Sequence, residues 1–557
     1  MTDFHRELAE LVFPHVDRAP SEWLAHFPPR QLPPGAWVTR FAPSPTGFVH
    51  IGSVLTSLVA RRIAHQTGGV FILRIEDTDK KREQDGSVEA IVRNLHNFGL
   101  TPDEGIVQVD PEREVGDFGP YTQSERGDIY NSFAKFLIGK GNAYPCFASE
   151  TELEQTRKLQ EAQRAKTGYY GPWAKWREAD LDAVRARLAA GERPVIRIRA
   201  PYPNESRVSF DDAIRGRLDM PANDQDMVLL KSANGLPTYH FAHVVDDITM
   251  RVNIVTRGDE WLTSAPLHIQ LHEMLAFPHP VYAHLAPIAK MDGTSKRKLS
   301  KRKDPEADVA YYHALGYPAQ AVTEYLLNLA NSDFYDWRKA NPLVPNTQFE
   351  VRLEKMQVAS PLFDPVKLND ISKDVVATYS AQQVYDAALA WATAYNPQLA
   401  EILSADPSYS VRVFSVERDG PAPRKDIVNW SDVQRACGFF FDALFDQAVA
   451  AAGYPWPALP RDLIRSVLER CQAIDSTLPK DDWLVALRSL SANLGFAPDA
   501  KTFRKDPAAY PGHFGDMMMI LRVALTGRTN TPDLYAIQQI LGASRVRQRL
   551  EQALNHL

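Results

Sequence analysis

The chain has 557 residues, of which 44% are hydrophobic, 10% aromatic and 24% charged, a composition that can bury several cores and excludes a disordered or small disulfide-stapled protein. At roughly 100 to 200 residues per domain, this length predicts about three or four domains. The formal net charge of −6 excludes attraction to a polyanion by the molecule as a whole, so a nucleic-acid partner has to be held by local basic patches. Cys146, Cys437 and Cys471 are spaced too widely for a Cys-X-X-Cys pair, which removes a cysteine zinc ribbon and fits a reducing compartment. Neither a signal-peptide apolar run nor a stretch of about 18 apolar residues occurs, and the expectation is a cytoplasmic protein with no membrane segment.

Residues 1–35 form a polar and aromatic lead-in ending in Pro28, Pro29, Pro33, Pro34 and Gly35, expected to pack on the domain that follows. The run 36–42 (AWVTRFA) predicts a buried strand and 43–47 (PSPTG) a turn. Val54, Leu55, Leu58, Val59 and Ile63 have the spacing of a helix over 53–67. Gly68 and Gly69 stop it, 70–77 (VFILRIED) predicts a second strand, and 87–99 a second amphipathic helix with Gly99 at its end. Strand, helix, strand, helix implies a parallel sheet and the α/β class. The mixed, polar stretch 128–230 reads as an insertion, with a charged helix at 150–166, a segment at 180–190 and a strand-like run at 195–200. The alternation resumes with VVDDITM, a strand in 252–261, a helix at 267–277 and a strand at 281–288. A basic loop follows, where residues 290–303 hold seven Lys or Arg against one Asp. From about 376 the pattern is almost all helix with proline or glycine breaks, as in 432–452 and 461–474, and no repeat or low-complexity tract is present.

Two segments suit phosphates. Arg40 to Ser53 (RFAPSPTGFVHIGS) lies where the first strand gives way to the first helix, and the unpaired amides and dipole of such a helix start attract anions. Gly47 and Gly52 allow close backbone approach, and His50 can donate to a phosphate that gains charge during displacement. Lys298 to Arg302 (KLSKR) follows a predicted parallel strand and so emerges at the same sheet edge. Lys298 and Lys301 suit the departing phosphates of a triphosphate, with Gly293, Thr294 and Ser295 supplying flexibility. Alone, the first segment is a tight turn and the second a solvated basic loop; their order along one chain changes the reading.

Together they resemble the signature pair of class I aminoacyl-tRNA synthetases, as HIGS (50–53) and KLSKR (298–302). FAPSPTG (41–47), LRIEDTD (73–79), PYTQSER (120–126), PTYHFAHVVDD (237–247), RGDEW (257–261) and LRVALTG (521–527) extend the resemblance to the glutamyl-tRNA synthetase family. It is dense from about 37 to 330 and thinner beyond. The resemblance implies an N-terminal extension (1–35), a Rossmann-like catalytic domain in two halves (36–127 and 231–290), and an inserted acceptor-end-binding subdomain (128–230). A KLSKR loop and stem-contact region (291–375) and an all-helical anticodon-binding region (376–557) complete the order. It implies ATP and Mg²⁺, L-glutamate and tRNA(Glu) as partners, a glutamyl-adenylate intermediate and a monomer. By the same resemblance, Arg40, Ala42, Ser44, Glu76, Tyr239, His243 and Arg257 bind glutamate. Ser44, Thr46, Gly47, His50, Gly52, Glu260, Trp261 and Lys301 bind ATP, and His50, Lys298 and Lys301 are catalytic. The residue chemistry agrees, because a substrate with two carboxylates and one ammonium needs two cations and one anion.

The sequence departs from the family pattern in places. His243 stands where many relatives carry Asn and the glutaminyl branch resembles His, which leaves the amino-acid choice open; Arg257 favours a carboxylate over an amide. Cys146 is alone, followed by Ala148 and later by YYGPWAKW (169–176) with neither Cys nor His, so no structural zinc and no metal-binding residues are expected. Four alternatives stand beside this reading: charging of tRNA(Gln) as well, a small-metabolite nucleotidyltransferase, an inactive tRNA-binding paralogue, and a helical region that serves dimerisation or docking.

Overall fold

The computed structural model describes residues 3–47, 49–81, 83–200, 206–232, 235–300, 302–420 and 422–557. They fall into two units, 1–311 with 323–364 and 312–322 with 365–557. The first is built on strands β1 (Val38–Phe41), β2 (Val70–Leu73) and β3 (Glu104–Val109), with β1 parallel to β2, β2 parallel to β3, and β4 (Glu112–Val115) turned back antiparallel on β3. Strands β5 (Ala143–Cys146), β6 (Val195–Ile198) and β9 (Val228–Leu230) form a separate antiparallel sheet. A further sheet has the order β10-β11-β7-β8, made by β7 (Arg207–Asp212), β8 (Gly216–Pro221), β10 (Ile254–Gly258) and β11 (Val281–Leu285). The first and last of these sheets meet at β1 and β10. Val38 N donates to Asn253 Oδ1 at 2.7 Å and Asn253 N to Val38 O at 3.2 Å. The resulting spatial order β3-β2-β1-β10-β11 reverses direction between β1 and β10, the place in an open α/β sheet where a crevice opens at the strand carboxyl ends.

The apolar spacing that predicts the first helix places it correctly: α3 (Ile51–Gln66) buries Val54, Leu55, Leu58, Val59 and Ile63, each contributing roughly 1.5–3 kcal/mol. Gly68 then takes a left-handed φ of +70° and ends it. VVDDITM is the end of a helix (Tyr239–Thr249) whose Val244, Val245 and Ile248 face the core. A second core helix, Ala265–Leu275, precedes β11.

The stretch 128–230 divides between two sheets. Its β5-β6-β9 part stands apart, but β7 joins β11 through the parallel pair Tyr282 and Asp212, because Val208, Phe210 and Asp212 alternate inward along β7. Within 290–303 the structure differs from a plain loop. Ala289–Asp292 and Ser295–Lys298 pair as an antiparallel hairpin (β12 and β13). Gly293, at φ +62°, is the first central residue of its two-residue turn, where a hairpin needs a positive φ. The lead-in contributes core: helices Asp3–Val12 and Pro20–His26 bring Leu8, Ala9 and Phe27 into the main apolar cluster.

The second unit is helical, and Trp430, Trp483, Phe440 and Phe445 lie in its core. The expected helix over 432–452 breaks into Val433–Cys437 and Asp442–Ala452. The cause is long-range competition for carbonyls: Arg549 Nη1 donates to Phe439 O at 2.6 Å and Tyr409 OH to Phe440 O at 2.7 Å, taking acceptors that a continuous helix would use. No helix among the described residues is long and apolar enough to cross a membrane.

Candidate active site

Around the β1–β10 reversal the sheet edge gathers Arg40 from β1, Glu76 just beyond β2, Tyr239 and His243 from the helix 239–249, and Arg257 from β10. Glu76 N donates to Pro43 O at 3.0 Å, so the turn carrying Ala42 and Ser44 is stitched to the acidic residue. Arg40 Nη2 and Asp247 Oδ2 both lie 3.2 Å from His243 Nδ1, and Arg40 Nε is 3.5 Å from Asp247 Oδ1. Tyr239 packs its ring on Trp261, with centroids 4.2 Å apart.

Two buried arginines in this region are treated differently. Arg74, 0% exposed, donates to Asp247 Oδ1 at 2.7 Å and Glu76 Oε1 at 3.3 Å and lies 3.7 Å from Asp246 Oδ2. Asp246 also takes Arg126 Nε at 2.7 Å, Gln123 Nε2 at 2.8 Å and Tyr130 OH at 2.9 Å. Arg257, 4% exposed, has no carboxylate among its hydrogen-bond partners in the described residues. Its Nε donates to His284 Nε2 and its Nη1 meets His268 Nδ1, each at 3.0 Å. The Tyr282 ring lies 4.9 Å from the guanidinium carbon, and Nη2 finds no hydrogen-bond partner.

Burial dominates the titration of these groups. It lifts Glu76 to about 7 against the pull of Arg74 and Arg40, and it holds His243 and His268 well below the usual imidazole range, helped by neighbouring histidines and arginines. Burial likewise raises the Tyr239 hydroxyl, with Arg257 opposing it. The edge is therefore a set of neutral imidazoles, a carboxyl poised near neutrality and two arginines.

Beside it a cavity of about 400 Å³ is lined by His50, Gly52, Ser53, Thr56, Gly258, Glu260, Lys298 and Leu299, among others. His50 caps the start of α3, its Nδ1 accepting from Gly52 N at 2.9 Å, which leaves Nε2 to carry the proton. A Cβ at position 52 would come within 3.0 Å of His50 Nδ1, so glycine keeps the cap open. Lys298 Nζ reaches Glu260 Oε2 at 3.1 Å across the cavity. Both signature segments line this cavity, and the chain just after the second one meets the first, with His50 bridged to Asp308 and Val309 N donating to Val49 O at 3.2 Å. Thr46 and Gly47 stand on the approach rather than in the lining; Gly47 has φ +115° and donates to Ser87 Oγ at 3.2 Å. Lys301 lies outside the described residues.

Sequence reasoning missed Asp304, Arg74, Asp246, Asp247, His268 and His284. Asp304 accepts both ends of the Arg297 fork, at 2.5 and 2.9 Å, and Ser300 N at 2.8 Å, so part of the basic cluster is neutralised. The signal for the others was present: charged or imidazole side chains inside the apolar runs LRIED, HVVDD, LHIQL and VYAHL are affordable only as partners of one another or of a ligand. Among the described residues no group of three or more His, Cys, Asp or Glu could hold a metal ion.

The family model for the catalytic domain of class I tRNA synthetases (E and Q) matches residues 36–358, and that of an anticodon binding domain matches 512–554. A glutamate-tRNA ligase of Clostridium perfringens (strain SM101 / Type A) is 45% identical over 551 residues, covering 99% of each chain. One from Sorangium cellulosum is 43% identical over 96% of this chain and 98% of its own. Among solved structures, a glutamate tRNA ligase from Elizabethkingia meningosepticum in complex with its amino acid superposes with a TM-score of 0.73 at 27% identity, covering 93% of this chain and 99% of its own.

Proposed function

The chain belongs to the class I tRNA synthetases of the E and Q type, and from that premise we propose that it ligates L-glutamate to the terminal adenosine of tRNA(Glu) through a glutamyl adenylate, releasing AMP and pyrophosphate. The observation that carries the amino-acid side is Arg257. A buried guanidinium whose partners among the described residues are imidazoles, the Tyr239 hydroxyl and an aromatic face has no counter-ion there, and a buried charge calls for one; here the substrate carboxylate supplies it. Arg40 is the second cation for the second carboxylate, and Glu76 takes the ammonium, with Ala42, Ser44, Tyr239 and His243 shaping the wall.

In the first step an α-carboxylate oxygen forms a bond to the α-phosphorus of ATP as the bond to pyrophosphate breaks. His50 Nε2–H donates towards the α-phosphate, while Lys298 leaves Glu260 for the departing phosphates and Lys301 joins it. Thr46, Gly47 and Gly52 give the nucleotide backbone access, with Glu260 and Trp261 towards its adenosine. In the second step the 2′-hydroxyl of the terminal adenosine attacks the activated carbonyl and AMP leaves. Positioning and charge stabilisation supply the rate, and no protein nucleophile is involved. Among the described residues the cavity offers one carboxylate, Glu260, already paired with Lys298, and Mg²⁺ would be held chiefly by the nucleotide phosphates and water. Cys146 faces the Tyr169 hydroxyl at 3.3 Å, which favours a zinc-free subdomain.

Residues 128–230 are assigned to the acceptor end and 376–557 to the anticodon, in a cytoplasmic monomer. The matched anticodon domain at 512–554 supports the helical unit as an RNA reader over a dimerisation module. Pyrophosphate exchange with glutamate or glutamine, with and without tRNA, tests the reading. Exchange with glutamate in the presence of tRNA is expected; exchange with glutamine, or none with either amino acid, contradicts it. Charging assays on tRNA(Glu) and tRNA(Gln) decide whether the second tRNA is also a substrate.

A further inference from the structure

Arg257 is held by a relay that reaches a different part of the fold. His284 Nδ1 lies 2.6 Å from Asp212 Oδ2, and an ionised carboxylate can only accept, so Nδ1 carries the proton and Nε2 presents its lone pair. That lone pair receives Arg257 Nε–H at 3.0 Å. Asp212 is itself fixed, because its Oδ1 accepts Ile214 N at 3.0 Å and Arg215 N at 2.9 Å. On the other side, an arginine can only donate. His268 Nδ1 is therefore also an acceptor, and its Nε2–H faces His240 Nδ1 at 3.0 Å.

We propose that the Asp212–His284 dyad and His268 are positioning residues for glutamate recognition: two tautomer-locked neutral imidazoles fix the Arg257 fork while leaving its charge, and its Nη2 donors, for the substrate. The inference rests on the proposed role of Arg257 as a carboxylate receptor. A carboxylate in place of either imidazole would orient the fork as well but would neutralise it and compete with the substrate. The arrangement also explains why β7, which lies within the polar stretch 128–230, joins the catalytic sheet at Asp212. That one pairing sets the origin of the relay.

The test is steady-state amino-acid activation with tRNA present, measured for Asp212→Asn, His284→Leu, His284→Gln and Arg257→Ala, with thermal unfolding of each. In Asp212→Asn the amide oxygen stays with the backbone donors of residues 214 and 215, so the NH₂ faces His284, inverts its tautomer and sets two N–H groups against each other at Arg257. Asp212→Asn and His284→Leu should raise the KM for glutamate roughly ten- to hundredfold, the scale of lost positioning, with the KM for ATP unchanged. His284→Gln carries an acceptor oxygen to the Nε2 position and should recover most of the loss. An unaltered glutamate KM in Asp212→Asn and His284→Leu while Arg257→Ala loses glutamate overturns the positioning role alone. An unaltered KM in Arg257→Ala overturns the receptor reading beneath it. If His284→Leu fails to fold, the contrast of Asp212→Asn with His284→Gln decides: equal loss of ATP and glutamate binding in both would show a structural role and sink the proposal.

Discussion

Arg74, just past the end of β2, and Arg257, on β10, stand on either side of β1 and are both buried, yet one is enclosed by three carboxylates and the other, among the described residues, by none. The cluster of Arg74, Arg126, Asp246 and Asp247 is closed: each charge finds an opposite one inside the protein, and the Tyr130 and Gln123 side chains fill the remaining lone pairs of Asp246. The Arg257 pocket is open in charge though buried in space. The comparison separates ions that hold the sheet to the helix 239–249 from ions that wait for a substrate, and burial alone would not have separated them.

The largest expected effect is on the closed cluster. Asp246→Ala strands Arg126 in the core, removes one of the three carboxylates around Arg74, and should cost about 3–5 kcal/mol of stability by denaturant titration; a loss below about 1 kcal/mol would mean the cluster is not closed. Glu76 straddles the two regions and sharpens the contrast through pH. Its folded pKa, raised from 4.5 to about 7, means that the folded state holds an extra proton between those values. The stability it contributes is full below about 4.5 and lost as pH rises to 7, a loss of roughly 3 kcal/mol at 1.36 kcal/mol per unit. Glu76→Gln should therefore be more stable than the parent at pH 8 and no more stable at pH 4.5. Glutamate affinity should run the other way, strengthening as pH rises through 7 and Glu76 ionises to meet the ammonium. A parallel pH profile in Glu76→Gln would remove that role. The smallest stability effect is predicted for Arg257→Met, within about 1 kcal/mol of the parent, since replacing an uncompensated buried charge by an apolar side chain of similar length relieves as much as it removes.

Much of this was legible in the sequence for identifiable reasons. The α/β alternation showed because α3 and its flanking strands carry clean apolar spacing ended by Gly68. The HIGS and KLSKR segments stood out by composition, and the structure brings His50 and Lys298 to the lining of one cavity. The β12–β13 hairpin was hidden because Lys290, Lys296, Arg297 and Lys298 mask strand alternation, and the break at Gly438–Phe440 was hidden because its cause, Arg549, lies more than a hundred residues away. The histidines behind Arg257 were missed for a related reason. In sequence, His268 and His284 sit among apolar residues of a helix and a strand, and only the pairing of β11 with both β10 and β7 shows that His284 links Asp212 to Arg257.

The open state of Arg257 is tested most directly by glutamate-dependent pyrophosphate exchange, tRNA present, for the parent and Arg257→Met at matched folded fractions. A receptor for the substrate carboxylate predicts that kcat/KM for glutamate falls by a hundredfold or more, about 2.7 kcal/mol or above, with the ATP dependence preserved. A variant that saturates with glutamate like the parent would contradict it.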